Sequence, residues 1–161
     1  MSVMSTTSAI DDRISTEFVT ANGLRFEVDM CGDQSSNKLA ICLHGFPEHS
    51  VSWRNQLPML AELGYKVWAP NMRGYGNSSI PPDKKDYAIE NLLADVAALI
   101  DAAECEETIL LAHDWGAVIA WYFSIREIRP LSKLVICNVP HPAAGREGAG
   151  WAQLKKSWYI F

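Results

Sequence analysis

The run Leu110-Leu111-Ala112-His113-Asp114-Trp115-Gly116-Ala117 holds the residues best placed for chemistry in this 161-residue chain. An apolar, strand-like stretch passes into a helix-like stretch through one acidic residue flanked by small ones. A sharp strand-to-helix bend there would strain the backbone of its central residue and lift that side chain clear of a sheet. Ala112 and Gly116, two before and two after, are small enough to let strand and helix approach. The following helix would aim its first N–H groups at the site, where they favour negative charge. The central residue is Asp114. An aspartate side chain, with an ordinary pKa of about 3.9, is ionised at neutral pH and needs no base to become a nucleophile. It suits displacement at an sp³ carbon bearing a leaving group, which yields a covalent ester. Attack on an ester or amide carbonyl would gain little, which disfavours esterase, lipase and peptidase chemistry. Taken alone, Asp114 could instead cap the helix that begins at Trp115, since Asp is among the best N-cap residues.

The elements around this bend are legible from periodicity. Glu17 to Thr20 and Leu24 to Met30 alternate apolar and polar residues around Asn22-Gly23, a strong hairpin signal. Leu39 to Leu43 is a continuous apolar run, as in a strand covered on both faces. Trp53, Leu57, Leu60 and Leu63 recur at helical spacing, with Ser52 as a candidate cap and Gly64 as a stop. Pro58 fits that helix only in or near its first turn. Tyr65 to Ala69 reads as the next strand, followed by a Gly/Ser/Pro-rich loop from Pro70 to Pro82. Ile89, Leu92, Leu93, Val96, Leu99 and Ile100 mark an amphipathic helix. Thr108 to Ala112 and Leu134 to Cys137 read as strands, and Ala117 to Ile125 as a buried helix between them. Strands alternating with helices after an opening hairpin predict an α/β fold with a mostly parallel sheet. Val139 to Gly145 is expected to be irregular, and Trp151 to Phe161 to begin another helix.

Bulk properties exclude several classes. With 48% hydrophobic and 20% charged residues the composition is that of an ordinary folded domain. A net charge of −5 without a Lys/Arg cluster argues against nucleic-acid binding. No stretch approaches the ~18 apolar residues of a membrane span, and Met1 to Arg13 lacks the features of a secretory signal. A cytoplasmic address is expected. Cys31, Cys42, Cys105 and Cys137 show no metal-ligand spacing and read as reduced residues, Cys42 and Cys137 within apolar runs. No metal or organic cofactor is implied.

In order along the chain stand His44-Gly45-Phe46-Pro47-Glu48, Ser52-Trp53-Arg54, Arg73-Gly74-Tyr75-Gly76-Asn77-Ser78, His113-Asp114-Trp115-Gly116 and Asn138-Val139-Pro140-His141-Pro142. Together these motifs resemble the epoxide hydrolases of the α/β-hydrolase superfamily. The resemblance turns the balance at Asp114 from helix cap to nucleophile, one that opens an epoxide by forming an aspartyl ester. It implies an oxyanion hole from the backbone N–H groups of Phe46 and Trp115, with His44, Pro47 and Trp115 against a small-molecule epoxide. Ser157-Trp158-Tyr159 resembles a cap segment whose tyrosine donates to the epoxide oxygen, so Tyr159 is a candidate acid. Aromatic packing is its ordinary alternative.

Two departures from the family pattern stand out. Ala112 occupies a position where glycine is usual, a change the turn should tolerate. More seriously, the family's water-activating histidine comes late, and the histidines here are His44, His49, His113 and His141. None is expected to be that base. The chain therefore reads as 1–13 flexible, 14–142 the N-terminal part of an α/β-hydrolase core with about six of eight strands, and 143–161 the start of a cap domain. On that reading it belongs to a longer protein and is alkylated once without turnover. The competing functions are haloalkane dehalogenase and a truncated non-catalytic module. Halide release wants a second N–H donor, often an Asn, where Phe46 stands. Haloacid dehalogenases usually place Arg where Trp115 stands.

Overall fold

A computed structural model describes residues 11–144. Strand β1 (Ser15–Ala21) and strand β2 (Leu24–Cys31) pair antiparallel, with Ala21 opposite Leu24. Asn22 and Gly23 between them both take positive φ, 49° and 70°, as a tight two-residue turn requires. The chain continues through β3 (Lys38–Leu43), α1 (Gln56–Glu62), β4 (Lys66–Pro70), α2 (Ile89–Ala103), β5 (Glu107–His113), α3 (Trp115–Ile125) and β6 (Lys133–Cys137). The six strands form one sheet in the order β1-β2-β4-β3-β5-β6. Strands β4, β3, β5 and β6 run parallel, and β2 joins β4 antiparallel. This is the expected α/β architecture with its antiparallel opening hairpin.

The period-2 alternation of the central strands divides the core. Leu39, Ile41 and Leu43 of β3 and Leu110 and Ala112 of β5 pack with α2 and α3 residues such as Val96, Leu99, Ile119 and Phe123. Ala40 and Cys42 of β3 and Ile109 and Leu111 of β5 pack on the other side with Leu57 and Leu60 of α1. Alternate residues of one strand point to opposite faces, so helices cover both faces of the parallel strands.

The first helix departs from its expected bounds. Ser50–Trp53 form a 3₁₀ turn, and the α-helix starts at Gln56, so Ser52 lies within the turn and caps nothing. Pro58 is thereby the third residue of α1, where its missing N–H breaks no intrahelical bond. Gly64 closes the helix as expected. At φ 87° its N–H donates to Ala61 O, and Tyr65 N–H donates to Leu60 O, the paired bonds of a glycine C-cap. The following strand begins at Lys66, one residue after Tyr65. A further correction falls after β6. Residues 142–144 are helical, inside a segment expected to be irregular. Helix geometry tolerates Pro142 at the start of such a turn, where no N–H donor is needed. Gly145, the last residue of that segment, lies outside the described residues, as does Trp151 to Phe161.

Candidate active site

The loops that carry the motifs leave the C-terminal ends of neighbouring parallel strands: His44 follows β3, Asn71 follows β4, Asp114 follows β5 and Asn138 follows β6. From β3 the chain crosses to β4 on one side, while β5 lies on the other. The crevice above β3 and β5 is thus a topological switch point, where open α/β sheets bind ligands.

Asp114 stands at that point with φ 51° and ψ −121°. An aspartate that caps a helix takes an extended backbone and accepts from the first-turn N–H groups. Asp114 does neither: its φ is positive and its side chain makes no cap hydrogen bond. Such a backbone costs a non-glycine residue on the order of 1–3 kcal/mol. The helix begins beneath it with Val118 N–H donating to the Asp114 carbonyl, 3.1 Å.

Two glycines make the bend possible. A Cβ on Gly116 would lie 2.6 Å from the carbonyl oxygens of both Leu43 and His44, so α3 could not sit this close to the end of β3 with any side chain there. A Cβ on Gly45 would lie 2.5 Å from Asp114 Cβ and 2.9 Å from its Oδ1. The β3 loop therefore closes directly over the acid. Its Phe46 N–H donates to Asp114 Oδ1 at 2.9 Å. Trp115 opens α3, and its N–H has no intrahelical partner. The side chains of Phe46 and Trp115, the residues that supply these two N–H groups, are 63% and 49% exposed. Pro47, also exposed, follows Phe46 through a cis peptide bond.

His44 corrects one expectation. It was expected against the substrate, yet it is fully buried, with Nδ1 2.8 Å from Gly45 O and Nε2 accepting from Met72 N–H at 3.1 Å. Both ring nitrogens face backbone of the protein, so the ring underlies the site and cannot meet a ligand. Tyr159 lies outside the described residues. His113, the residue before the acid, turns its ring away from it as expected. Its Nδ1 lies 3.2 Å from Glu48 Oε2 and its Nε2 3.0 Å from Asn138 Nδ2.

The structure also brings in groups to which the sequence assigned no role. Tyr75 packs its ring edge-on to His44, with centroids 4.7 Å apart. Burial, and then the charge of Asp114, push its hydroxyl above the usual range. Arg73, 5% exposed, forms a two-pronged ion pair with the equally buried Asp95, at 2.5 and 2.6 Å. It also donates to the carbonyls of Asp86 and Asn91. Asn71 receives Ser50 N–H and donates to Glu27, which also binds Asn77 through backbone and side chain. The only sequence signal for this network was the motif Arg73 to Ser78. Among the described residues no group of His, Cys, Asp and Glu is arranged to hold a metal, and no helix is long and apolar enough to cross a membrane. The four cysteines are unbridged, and burial pushes the Cys42 thiol far up.

A family model described as alpha/beta hydrolase fold matches residues 39–158, the stretch that contains every described part of this site except Glu27. The chain belongs to that family. Among curated relatives, this α/β-hydrolase chain is 38% identical over 142 residues to Epoxide hydrolase 3 of Xenopus tropicalis, which covers 87% of the chain and 38% of the relative. It is 39% identical over 122 residues to Epoxide hydrolase A of Mycobacterium tuberculosis, covering 76% of the chain and 38% of the relative. The AB hydrolase superfamily protein YfhM of Bacillus subtilis is 37% identical over 131 residues, 81% of the chain and 46% of that protein. The crystal structure of epoxide hydrolase VrEH1 from Vigna radiata superposes with a TM-score of 0.75 at 36% identity, over 80% of this chain and 41% of that one. The chain thus spans less than half the length of these relatives.

Proposed function

We propose that this chain supplies the nucleophile of an epoxide hydrolase and opens epoxides through a covalent ester on Asp114. The observation that carries the reading is the bend itself: a carboxylate on a strained turn that forgoes its cap bond and takes the Phe46 N–H instead. The named relatives support the choice of substrate class.

With Oδ1 held by the Phe46 N–H, Oδ2 attacks an epoxide carbon. The C–O bond to that carbon breaks, and its electron pair goes to the ring oxygen, which takes a proton from an acid. Tyr159 is the candidate for that acid. The product is a hydroxyalkyl ester of Asp114 that keeps every atom of the epoxide. When water later attacks the ester carbon, the charge that develops on Oδ1 meets the N–H groups of Phe46 and Trp115. Hydrolysis releases a vicinal diol and restores the carboxylate. The exposed Phe46, Pro47 and Trp115 give an apolar substrate a surface beside the carboxylate.

We further propose that residues 1–161 alone stop at the ester. His44 is buried with both nitrogens engaged, and His113 is held between Glu48 and Asn138. His141 accepts Ala143 N–H and stacks edge-on against Trp121. His49 is exposed beside Tyr75. Three of the four imidazoles are thus engaged within the protein, and among the described residues no hydrogen bond joins the fourth, His49, to Asp114.

The test is incubation of the purified chain with styrene oxide or with a 1-haloalkane, followed by intact mass and peptide mapping. One hydroxyalkyl adduct on Asp114, absent in Asp114→Asn, is the expected result. An alkyl adduct formed with halide loss would instead establish dehalogenase chemistry, and no adduct on Asp114 from either reagent would end the nucleophile reading. Repeated diol formation by residues 1–161 would overturn the proposed stall.

A further inference from the structure

The hydrogen bonds of His44 determine its tautomer. Met72 N–H points at Nε2, which must therefore be the unprotonated nitrogen. Nδ1 then carries the proton and donates it to Gly45 O at 2.8 Å. The Gly45 carbonyl belongs to the same planar peptide unit as the Phe46 N–H, and that peptide is trans. In a trans peptide the C=O and N–H point in opposite directions. A donor that fixes the carbonyl at one end therefore fixes the direction of the N–H at the other. That other end is the N–H 2.9 Å from Asp114 Oδ1. Gly45 has no side chain to brace this peptide, because a Cβ would collide with the acid.

We infer that His44 is a positioning residue: as the neutral Nδ1–H tautomer, fixed by Met72 N–H, it orients the Gly45–Phe46 peptide so that the Phe46 N–H points at the Asp114 carboxylate. His44 touches no substrate and acts through the peptide. The loop after β4 is thereby linked to the carboxylate 42 positions away at the end of β5, by a path from Met72 N–H through the ring and the peptide to Oδ1. The catalytic meaning of this path rests on the epoxide reading, but its existence does not.

A second proton on His44 would set an N–H against the Met72 N–H in a buried place. The groups that face the ring are Tyr75, edge-on at 4.7 Å, His49 at 6.3 Å, and the charge of Glu48. Burial is the largest influence and pushes the imidazole below its usual range. The Gly45 bond and Glu48 oppose it, and His49 reinforces it. For a histidine whose folded pKa lies below its unfolded one, the unfolded chain binds the proton more readily. The contribution of His44 to stability is thus complete above about pH 6.5 and declines as pH falls towards the folded pKa.

The experiment is NMR of the ¹⁵N-labelled chain in a His49→Gln background, which removes the neighbouring imidazole. The His44 ring and the Phe46 and Met72 amides are followed from about pH 8 to pH 4. All three are expected to move with one midpoint below the ordinary histidine value. His44→Asn keeps a donor near the Nδ1 position and offers Met72 no ring nitrogen. It should retain most of the downfield shift of the Phe46 amide, whereas His44→Leu should lose it. Alkylation by styrene oxide should fall on the order of 10- to 100-fold in His44→Leu, as expected for a misdirected donor, and recover in part with Asn. A Phe46 amide that stays fixed while His44 titrates overturns the inference, and this measurement needs no variant at position 44. An unchanged Phe46 amide in His44→Leu, with β5 amides native, overturns it equally. Because the amide readout uses no substrate, a chain that fails to react with epoxides sinks the proposed function and leaves this test intact.

Discussion

Replacing Gly116 with alanine sets two effects of opposite sign against each other. Gly116 is the second residue of α3, and glycine inside a helix is worse than alanine by at most about 1 kcal/mol, so propensity alone favours the variant. The new Cβ, however, would stand 2.6 Å from Leu43 O and His44 O and 2.8 Å from Leu43 C. Ordinary contact begins at 3.4 Å, so strand and helix must part by about 0.8 Å at this point. All three opposing atoms are backbone, and none can rotate away. Overpacking of this kind costs about 1–3 kcal/mol or more, so the net expectation is a loss of about 2 kcal/mol. With a urea m-value of about 2 kcal/mol/M, the unfolding midpoint should drop by about 1 M. The same separation displaces the Phe46 N–H from Asp114, and adduct formation should slow by on the order of 10- to 100-fold. Urea unfolding followed by circular dichroism gives the first number, and intact mass against time the second. A midpoint equal to or above that of the unsubstituted chain would mean that α3 does not press on the end of β3, and the account of the bend would fail.

Two further substitutions test the support beneath the site. Asp95→Asn leaves Arg73 charged and buried with only carbonyl partners, which should cost about 3–5 kcal/mol, while adding Arg73→Met should recover much of that loss; urea midpoints of the single and double variants decide, and equal midpoints would show that the pair is not buried as described. Glu27 is pushed up by burial, but the Asn77 N–H, the Asn77 amide and the Asn71 amide outweigh that and hold its carboxyl below the ordinary value of 4.5. The unfolded chain then binds this proton first on acidification, so the contribution of Glu27 is complete above about pH 4.5 and is lost as pH falls through the folded pKa. The acid limb of stability against pH should flatten in Glu27→Gln, and limbs that superimpose would refute the assignment.

Local signals carried most of the fold. Asn22-Gly23 announced the hairpin because only residues at ease with positive φ close a two-residue turn. Gly64 announced the end of α1 for the same reason. The start of α1 was misread because Trp53 has the right spacing for the helix yet sits in a 3₁₀ turn that precedes it, and spacing does not distinguish the two over four residues. At the site, the type and position of Asp114 were legible, and so was the approach of the Phe46 loop. The role of His44 was not. A histidine in a glycine-proline loop looks like a ligand contact, and only the partner at Met72, 28 positions away, reveals a buried structural ring. Likewise Arg73 and Asp95 lie 22 positions apart on different elements, and no spacing rule pairs them.

The strain at Asp114 has a physical consequence for how the loops around it must be built. A structural acid at a helix start would keep its extended backbone and its cap bond, worth about 1 kcal/mol. Asp114 gives up that bond and adopts a backbone that costs more. Such a conformation persists only where the surroundings over-determine it. Here the constraint comes from three directions. Gly116 lets α3 press against the end of β3, and Gly45 lets the β3 loop press against the acid. From below, His44 accepts Met72 N–H and holds the Gly45 carbonyl, while the adjoining Asn71 and Arg73 are anchored to Glu27 and Asp95. The loops after β3, β4 and β5 therefore form one continuous set of contacts. Loosening any of them lets the bend relax towards an ordinary capped helix, and the carboxylate would turn from the crevice to its own helix N-terminus.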